Sequence, residues 1–320
     1  MMYAYLIHLS RHLWDDSTSL ARGLYLSPDY TENNNTDLAT WDEVIQGLAR
    51  YGFNTVVIDV CDALQYESHP EISAPDAWSK EFLKKKLDEI RALGMEPIPK
   101  LNFSAAHDIW LKDYSRMIST PTYYQVCADL IREVCEVFDH PRYLHLGMDE
   151  ESDHYQRYYD ISIVRHETLW WHDLHFLFEE CRKNGARPWL WSSFSLNTYP
   201  ERFSEQMPKT VLQTLGTNGK YYGLDAVTPA EKRQSTEKLL DNIDRLHREG
   251  YDLTLLCSNW GYYRNILQTA ALAKDRLDPA LFKGFIVAPW LPTRKTERLA
   301  LLSAAEKMWY ARQDFFPETL

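Results

Sequence analysis

Short runs of apolar residues alternate along this chain with longer segments in which apolar residues recur at helical spacing. The run NTVVID at 54–59 is rich in β-branched residues, which is typical of a strand buried on both faces of a parallel sheet. The segment 79–93 has a helical pattern and stops at Gly94, a residue suited to ending a helix. Because this order repeats to the end of the chain, the pattern predicts βα units around a parallel sheet.

The first of the predicted strands is ambiguous. The segment 3–9 is favoured and 23–27 is the alternative; the first choice makes 15–40 a long polar loop. The other predicted strands are 54–59, 95–103, 142–148, 187–192, 210–215, 252–258 and 284–289, and the predicted helices are 79–93, 123–138, 168–184, 229–249 and 297–312. Either choice completes eight strands, so we expect one α/β domain over 1–320, a (β/α)8 TIM barrel.

The composition and net charge limit which cellular compartment and which kinds of partner we expect. The net charge of −11 argues against a nucleic-acid partner, because phosphate binding needs clustered Lys and Arg. No apolar run approaches the ~18 residues of a membrane span, so we expect no membrane partner. The opening residues MMYAYLIH lack the basic start of a secretory signal, and the five cysteines form no CxxC pair. We therefore expect a cytoplasmic protein with reduced thiols.

Aromatic residues are numerous, with 11 Trp and 20 Tyr. They fit a large aromatic core, and they fit equally a carbohydrate site in which flat rings stack on sugar faces. Composition alone leaves both interpretations open.

In a barrel of this kind the active site gathers at the carboxyl ends of the strands. Buried carboxylates are costly unless they are paired or functional, so acids at these positions are candidates for chemistry. The residues predicted to lie there are His8, Asp59, Asp62, Asn102, His107, Asp149, Glu150, Trp191, Asn259, Trp260 and Trp290.

The segment LHLGMDEE at 144–151 runs from an apolar strand directly into three acids. Glycoside hydrolysis needs a proton donor at the leaving oxygen and a second group that stabilises the positive anomeric centre. Carboxylates held close together also raise one pKa, which keeps an acid protonated near neutral pH. Acids that cap the following helix or bind surface cations would give the same pattern.

At this segment the chain resembles glycoside hydrolase family 20, the β-N-acetylhexosaminidases, which carry the motif H-x-G-G-D-E after the fourth strand. This chain reads HLGMDE at 145–150, with Met148 in place of the second glycine. Upstream, EPIPK at 96–100 followed by His107 resembles the family's third-strand pattern. The second-strand pattern resembles 54–62, which ends at Asp62, and Asp59 stands where the family has His.

The resemblance implies a substrate-assisted reaction with retention of configuration. Asp149 would orient the acetamido group of a terminal N-acetylhexosamine, and Glu150 would be the general acid and then the base. Tyr262 would bind the acetamido carbonyl, and the pocket would be walled by Trp191, Trp260 and Trp290. The partner would be a carbohydrate, with no cofactor and no metal.

Two departures leave the sugar open between N-acetylglucosamine, N-acetylgalactosamine and a modified sugar. The family's Arg-Gly on the first strand matches Arg22-Gly23 only under the alternative first strand. The family places an acid beyond the last indole, whereas Trp290 is followed by LPTR at 291–294. Linkage and the choice between exo and endo cleavage stay open too.

Other segments carry weaker signals. His107 and Asp108 lie together in the loop at 104–110, where they fit substrate contact better than loop ordering. The helical stretch WWHDLH at 170–175 predicts packing or a subunit interface, and a homodimer is compatible with it. The segment YQRYY at 155–159 fits a lid or plain loop packing.

Two other functions remain open from the sequence. A metal-dependent barrel hydrolase or isomerase could use His8, His107, His145, Asp149 and Glu150 around a divalent ion. Against it, no His-x-His pair ends a strand, and His145 points opposite to its neighbours Leu144 and Leu146. A carbohydrate-binding barrel without catalysis would keep the aromatic residues and lose the acid.

Overall fold

The computed structural model describes residues 1–12, 33–157, 159, 161–221 and 230–319. Eight parallel strands close into a barrel in chain order, each paired with the next and the last with the first. They are β1 (Met2–His8), β2 (Thr55–Asp59), β3 (Glu96–Lys100), β4 (Tyr143–His145), β5 (Arg187–Trp191), β6 (Leu212–Gly216), β7 (Leu253–Cys257) and β8 (Phe282–Val287). The predicted TIM barrel is confirmed.

The favoured first strand is also confirmed, because β1 pairs with both β2 and β8. Ala4 lies opposite Thr55 on one side and Ile286 on the other, which closes the sheet. The alternative strand at 23–27 lies outside the described residues, as does the Arg22-Gly23 pair.

Helices surround the barrel in the described part of the chain. They are α1 (Leu38–Arg50), α2 (Lys80–Ala92), α3 (Pro121–Val137), α4 (Glu167–Lys183), α5 (Ser193–Thr198), α6 (Pro200–Gln206), α7 (Ala230–Arg248), α8 (Asn265–Arg276) and α9 (Arg298–Phe315). Three short 3-10 helices accompany them, at Cys61–Ala63, Ile109–Arg116 and Pro317–Thr319. The expected helices correspond to α2, α3, α4, α7 and α9.

Side-chain caps set where several helices begin. The Ser79 hydroxyl accepts from the Phe82 N–H at the start of α2, and Gly94, with φ of 79°, follows its end. The loop expected to reach residue 40 ends earlier, because Asp37 accepts from the Thr40 N–H and starts α1 at Leu38. That boundary is a correction to the sequence prediction.

The hydrophobic core has two layers, one inside the barrel and one between the strands and the surrounding helices. Alternate strand residues such as Leu6, Val57 and Trp189 fill the barrel interior. Residues of the opposite strand faces pack against the helices, and Trp170 and Trp171 of α4 belong to this outer layer. Their rings lie 4.8 Å apart between centroids, and both side chains are buried, so packing accounts for this aromatic pair.

Within the described residues, none of the helices combines the length and apolar character needed to cross a lipid bilayer.

Candidate active site

The loops that follow β3 and β4 bring together the histidine and both acids of the sequence prediction. Nε2 of His107 lies 3.0 Å from Oε2 of Glu150. Asp149 is held from the other side, because the Ser104 hydroxyl lies 2.9 Å from its Oδ1 and also accepts from the Asp149 N–H at 3.0 Å. The β3 loop therefore orients both carboxylates.

The turn before these acids has an uncommon backbone. Gly147 and Met148 are both left-handed, with φ of 75° and 67°. A Cβ atom at Gly147 would lie 1.9 Å from Oδ1 of Asn102, so only glycine fits there. The Gly147 N–H donates to Nδ1 of His145 at 3.1 Å. This turn carries the chain out of β4 so that the acids reach the barrel mouth.

Burial and mutual charge shift the pKa values of this group. Burial by itself would lower the pKa of the His107 imidazole, but the contact with Glu150 outweighs it and raises the pKa. Burial raises the pKa of Asp149, the charge of His107 opposes this rise, and the Glu150 carboxylate adds to it. The protonation of His107 and that of Asp149 therefore depend on each other, and coupled titratable groups of this kind are what general acid–base chemistry uses.

The same group has the donor atoms of a cation site. One ring nitrogen of His107 and one oxygen each of Asp149 and Glu150 lie within 4.8 Å of one another. The other two histidines of the metal hypothesis lie elsewhere among the described residues. His145 is buried with its Nδ1 engaged by Gly147, and burial holds its pKa well below the usual range. His8 contacts Asp59 instead.

Beneath the mouth, the barrel interior carries a buried charged floor. Nζ of Lys100 lies 2.7 Å from Oδ2 of Asp59, and Nδ1 of His8 lies 3.2 Å from the same oxygen. The Cys61 thiol donates to the other oxygen of Asp59 at 3.1 Å. Burial alone would raise the pKa of Asp59, but Lys100 and His8 reverse the effect and hold it far below its usual range.

Two indole rings lie at the mouth in the half of the barrel formed by β5–β8. The Trp191 ring lies 4.3 Å from the His145 ring and 5.7 Å from the Trp290 ring, between centroids. Trp290 has φ of 57°, and its indole N–H donates to Oδ1 of Asn218 at 2.7 Å. The structure therefore brings together two of the three predicted pocket indoles.

The loop after β7 carries the third indole and the predicted tyrosine. The Trp260 side chain is 64% exposed, and Tyr262 is partly buried against Tyr263. This loop packs closely on the β6 loop, because a Cβ atom at Gly261 would lie 2.5 Å from the carbonyl oxygen of Asn218. Asn218 thus ties the loops after β6, β7 and β8 together beside Trp290.

The fold of the barrel is similar to that of several solved structures. The exo-β-N-acetylglucosaminidase of Vibrio harveyi, a family-20 glycoside hydrolase solved with N-acetylglucosamine, is similar with a TM-score of 0.63, at 12% identity over 99% of this chain and 57% of that chain. The barrel has the fold of the family-20 glycoside hydrolases. The β-N-acetylhexosaminidase of Bacteroides fragilis gives 0.62 at 13% identity, over 99% of this chain and 70% of that chain.

Dispersin B is a similar structure of matching length, with a TM-score of 0.59 at 14% identity over 97% of this chain and 99% of that chain. No family sequence model matches the chain, and no curated protein sequence matches it. The likeness to family 20 is therefore a likeness of fold, and the chain spans little more than half of the V. harveyi enzyme chain.

Two of the predicted substrate contacts, Asp62 and Asp108, are buried. Oδ1 of Asp62 accepts from the Ser10 hydroxyl at 2.6 Å, and Oδ2 lies 2.5 Å from Nδ1 of His12. Asp108 is 2% exposed, and its Oδ2 has no hydrogen-bond partner among the described residues. Both carboxylates face protein, and their contact with a sugar stays a prediction.

Three further residues near the site were not among the predicted site residues. Tyr155, in the segment expected to be a lid or a packed loop, is 48% exposed; partial burial and the charges of Glu150 and Asp149 raise its pKa. Lys100 sits within a strand, where periodicity shows only that a polar residue interrupts an apolar run. Arg165 lies in a loop without pattern, fourteen positions beyond the acid it contacts.

Proposed function

We propose that this chain is a β-N-acetylhexosaminidase-like glycoside hydrolase. It removes a terminal β-linked N-acetylhexosamine, N-acetylglucosamine or N-acetylgalactosamine, with retention of configuration. The observation that carries the proposal is the group of His107, Asp149 and Glu150 at the carboxyl ends of β3 and β4, within a family-20 fold.

The first half of the reaction breaks the glycosidic bond. Glu150 donates its proton to the leaving oxygen while the carbonyl oxygen of the 2-acetamido group attacks the anomeric carbon. Asp149 orients the acetamido N–H and, as a carboxylate, stabilises the positive oxazolinium ion that forms. Its hydrogen bonds with Ser104 support this role, because they fix its direction before the substrate arrives.

The second half returns the active site to its starting state. Glu150, now a carboxylate, takes a proton from a water molecule whose oxygen attacks the anomeric carbon. The bond between that carbon and the acetamido oxygen breaks, and the acetamido group is restored. Two inversions at one carbon give net retention. His107 supports the switch, because an imidazolium 3.0 Å from Glu150 stabilises its charged form.

The indole side would bind the sugar ring. Trp191 and Trp290 offer apolar ring surface, and the hydrogen bond of the Trp290 N–H to Asn218 fixes the direction of that ring, which suits stacking on the apolar face of a sugar. Trp260 and Tyr262 would extend the same wall from the β7 loop, with Tyr262 on the acetamido carbonyl.

The first test is a side-by-side assay on aryl β-glycosides of N-acetylglucosamine, N-acetylgalactosamine, glucose and galactose. We expect turnover confined to the N-acetyl sugars. Equal turnover of the plain hexosides would show that the acetamido group is not used, and Asp149 would then need another role. No turnover of any of the four would overturn the proposal for simple glycosides.

A second test addresses the role of Asp149. A thiazoline mimic of the oxazolinium ion should inhibit strongly, and Asp149→Asn should lower kcat/KM by about 10²–10³-fold. The variant Asp153→Asn, a change in the same loop at an exposed residue, serves as the control. Normal activity of Asp149→Asn, or indifference to the mimic, would contradict substrate assistance.

A metal-dependent hydrolase is a second candidate, because three donor atoms of His107, Asp149 and Glu150 lie within 4.8 Å. An ion there would polarise the substrate or activate water. Metal analysis of the purified protein and an assay after chelation separate the candidates. Activity that survives chelation favours the glycosidase, and activity lost and restored by one divalent ion favours the metal enzyme.

A further inference from the structure

Directly behind the two catalytic acids lies a buried ion pair that the proposed reaction does not use. Glu151 follows Glu150 in the chain, and its side chain is fully buried. Arg165 holds both of its oxygens, with Nη2 at 2.8 Å from Oε1 and 2.7 Å from Oε2, and Nε at 3.2 Å from Oε2. Such a forked contact fixes direction as well as distance.

The same guanidinium reaches the loop that carries His107. Nη2 of Arg165 donates to the carbonyl oxygen of Phe103 at 3.0 Å, directly before Ser104. It also lies 3.9 Å from the sulfur of Met148, the left-handed residue before Asp149. One side chain thus contacts the β3 loop and both flanks of the catalytic pair.

The far side of Arg165 is anchored to the helical layer. Its Nη1 lies 3.5 Å from Oδ2 of Asp173 in α4. Asp173 itself accepts from the hydroxyls of Ser119 and Tyr124, each at 2.5 Å. The guanidinium is therefore held by elements on the outside of the barrel, away from the acids it supports.

We propose that Arg165 is a positioning residue, which acts through Glu151 and Phe103 to hold Asp149 and Glu150 against His107. The kinetic part of this inference rests on the proposed function, whereas the predicted effect on the contact between Glu150 and His107 does not. It predicts that the contact between Glu150 and His107 loosens when the fork is removed. A merely structural ion pair would affect stability and leave that contact unchanged.

The buried carboxyl groups near Arg165 indicate what removal of its guanidinium would do to the loop. Asp108 lies next to His107 in the chain, and burial raises its pKa well above the usual range, with Arg165 opposing the rise. Burial also raises the pKa of Glu151, again against Arg165. Loss of the guanidinium would leave two buried carboxyl groups beside the site without their cation, so the loop would have to rearrange or take up protons.

The test compares Arg165→Met, Arg165→Lys and Glu151→Gln with a matched control. Arg182→Met is that control, because Arg182 lies on α4 in an exposed ion pair with Glu179. Circular dichroism and thermal unfolding first establish which variants fold. NMR titration of the His107 ring without substrate then reports its contact with Glu150, and kcat and KM are measured on the aryl N-acetylhexosaminides.

We expect the pKa of His107 to fall in Arg165→Met, because Glu150 no longer stabilises the imidazolium while burial still disfavours it. We expect kcat to fall about 10²-fold with KM little changed, since displacement of a catalytic group by about 1 Å has effects of that size. Arg165→Lys keeps the charge without the fork and should recover part of both. Arg182→Met should match the wild type.

A folded Arg165→Met whose His107 titration and kcat match the wild type would overturn the inference. If Arg165→Met does not fold, the same two readouts on Arg165→Lys and Glu151→Gln decide it. Failure of the proposed function looks different, because the wild type would then turn over none of the glycosides or would turn over the plain hexosides equally well. The His107 titration would still show whether Arg165 positions the loop.

Discussion

The two halves of the barrel mouth differ in how they are built. The β1–β4 half holds the group of His107, Asp149 and Glu150, and side chains from neighbouring loops fix it through hydrogen bonds and ion pairs. The β5–β8 half presents the rings of Trp191 and Trp290, which lie against one another. Bond-breaking groups need fixed positions, whereas ring surfaces tolerate small displacements. We therefore assign chemistry to the first half and sugar binding to the second.

The sharpest test of this division is Glu150→Gln, which keeps the shape and removes the proton. General acid–base catalysis contributes about 10²–10⁴-fold, so kcat/KM on aryl N-acetylhexosaminides should fall by that order, mainly through kcat. Glu205→Gln, in an exposed ion pair on α6, is the matched control. Equal turnover by both variants would remove Glu150 from the chemistry.

The next effect concerns pH. His107 lowers the pKa of Asp149 through its charge, so His107→Asn should raise that pKa further. Asp149 acts as a carboxylate, so the acidic limb of the kcat/KM profile should move to higher pH, with a rate loss of about tenfold or more near neutrality. His175→Asn, on the outer face of α4, should leave the profile unchanged. A shift of the acidic limb to lower pH would contradict the coupling.

A smaller effect is expected on the indole side. Trp290→Phe keeps a ring and removes the N–H that Asn218 accepts. A hydrogen bond contributes about 0.5–1.5 kcal/mol net, so KM should rise about twofold to tenfold while kcat stays nearly constant. Trp309→Phe, on the outer helix α9, is the control. A large loss in kcat with unchanged KM would erase the distinction between the two halves.

The smallest effect is expected at Trp260, because its ring is 64% exposed. Trp260→Ala should raise KM by only about twofold to fivefold, the order of a weak stacking contact. Tyr310→Ala, a half-exposed aromatic residue of α9, is the control. A rise in KM larger than that of Trp290→Phe would contradict this order and would show that Trp260 contributes more to sugar binding than Trp290 does.

The sequence predicted the strands because most of them are short runs rich in apolar residues whose two faces are both buried. It predicted His107, Asp149 and Glu150 as candidates because chain order alone brings strand ends together in a barrel. Helices α1, α5, α6 and α8 were not predicted. The inward face of α8 includes Ile266 and the small residues Ala270 and Ala273, which give a weak hydrophobic pattern.

The support behind the acids could not be predicted from sequence. Arg165 contacts Glu151 because of the course that the chain takes between them, and no periodic pattern in the sequence predicts that course. The burial of Asp62 against Ser10 and His12 depends likewise on how two loops meet. Contacts between loops follow from three-dimensional packing, so the pattern that locates an acid does not say what it will touch.

The charged floor formed by Asp59, Lys100 and His8 limits the pH range over which the fold is stable on the acid side. A carboxylate whose pKa is depressed in the folded state stabilises the fold above its unfolded pKa of about 3.9, and that contribution is lost as the pH falls below it. Protonation of Asp59 would leave Lys100 charged and without its counter-ion inside the barrel. Inactivation in strong acid would therefore report the collapse of the scaffold, while reversible loss of rate at milder acidity would report the catalytic groups.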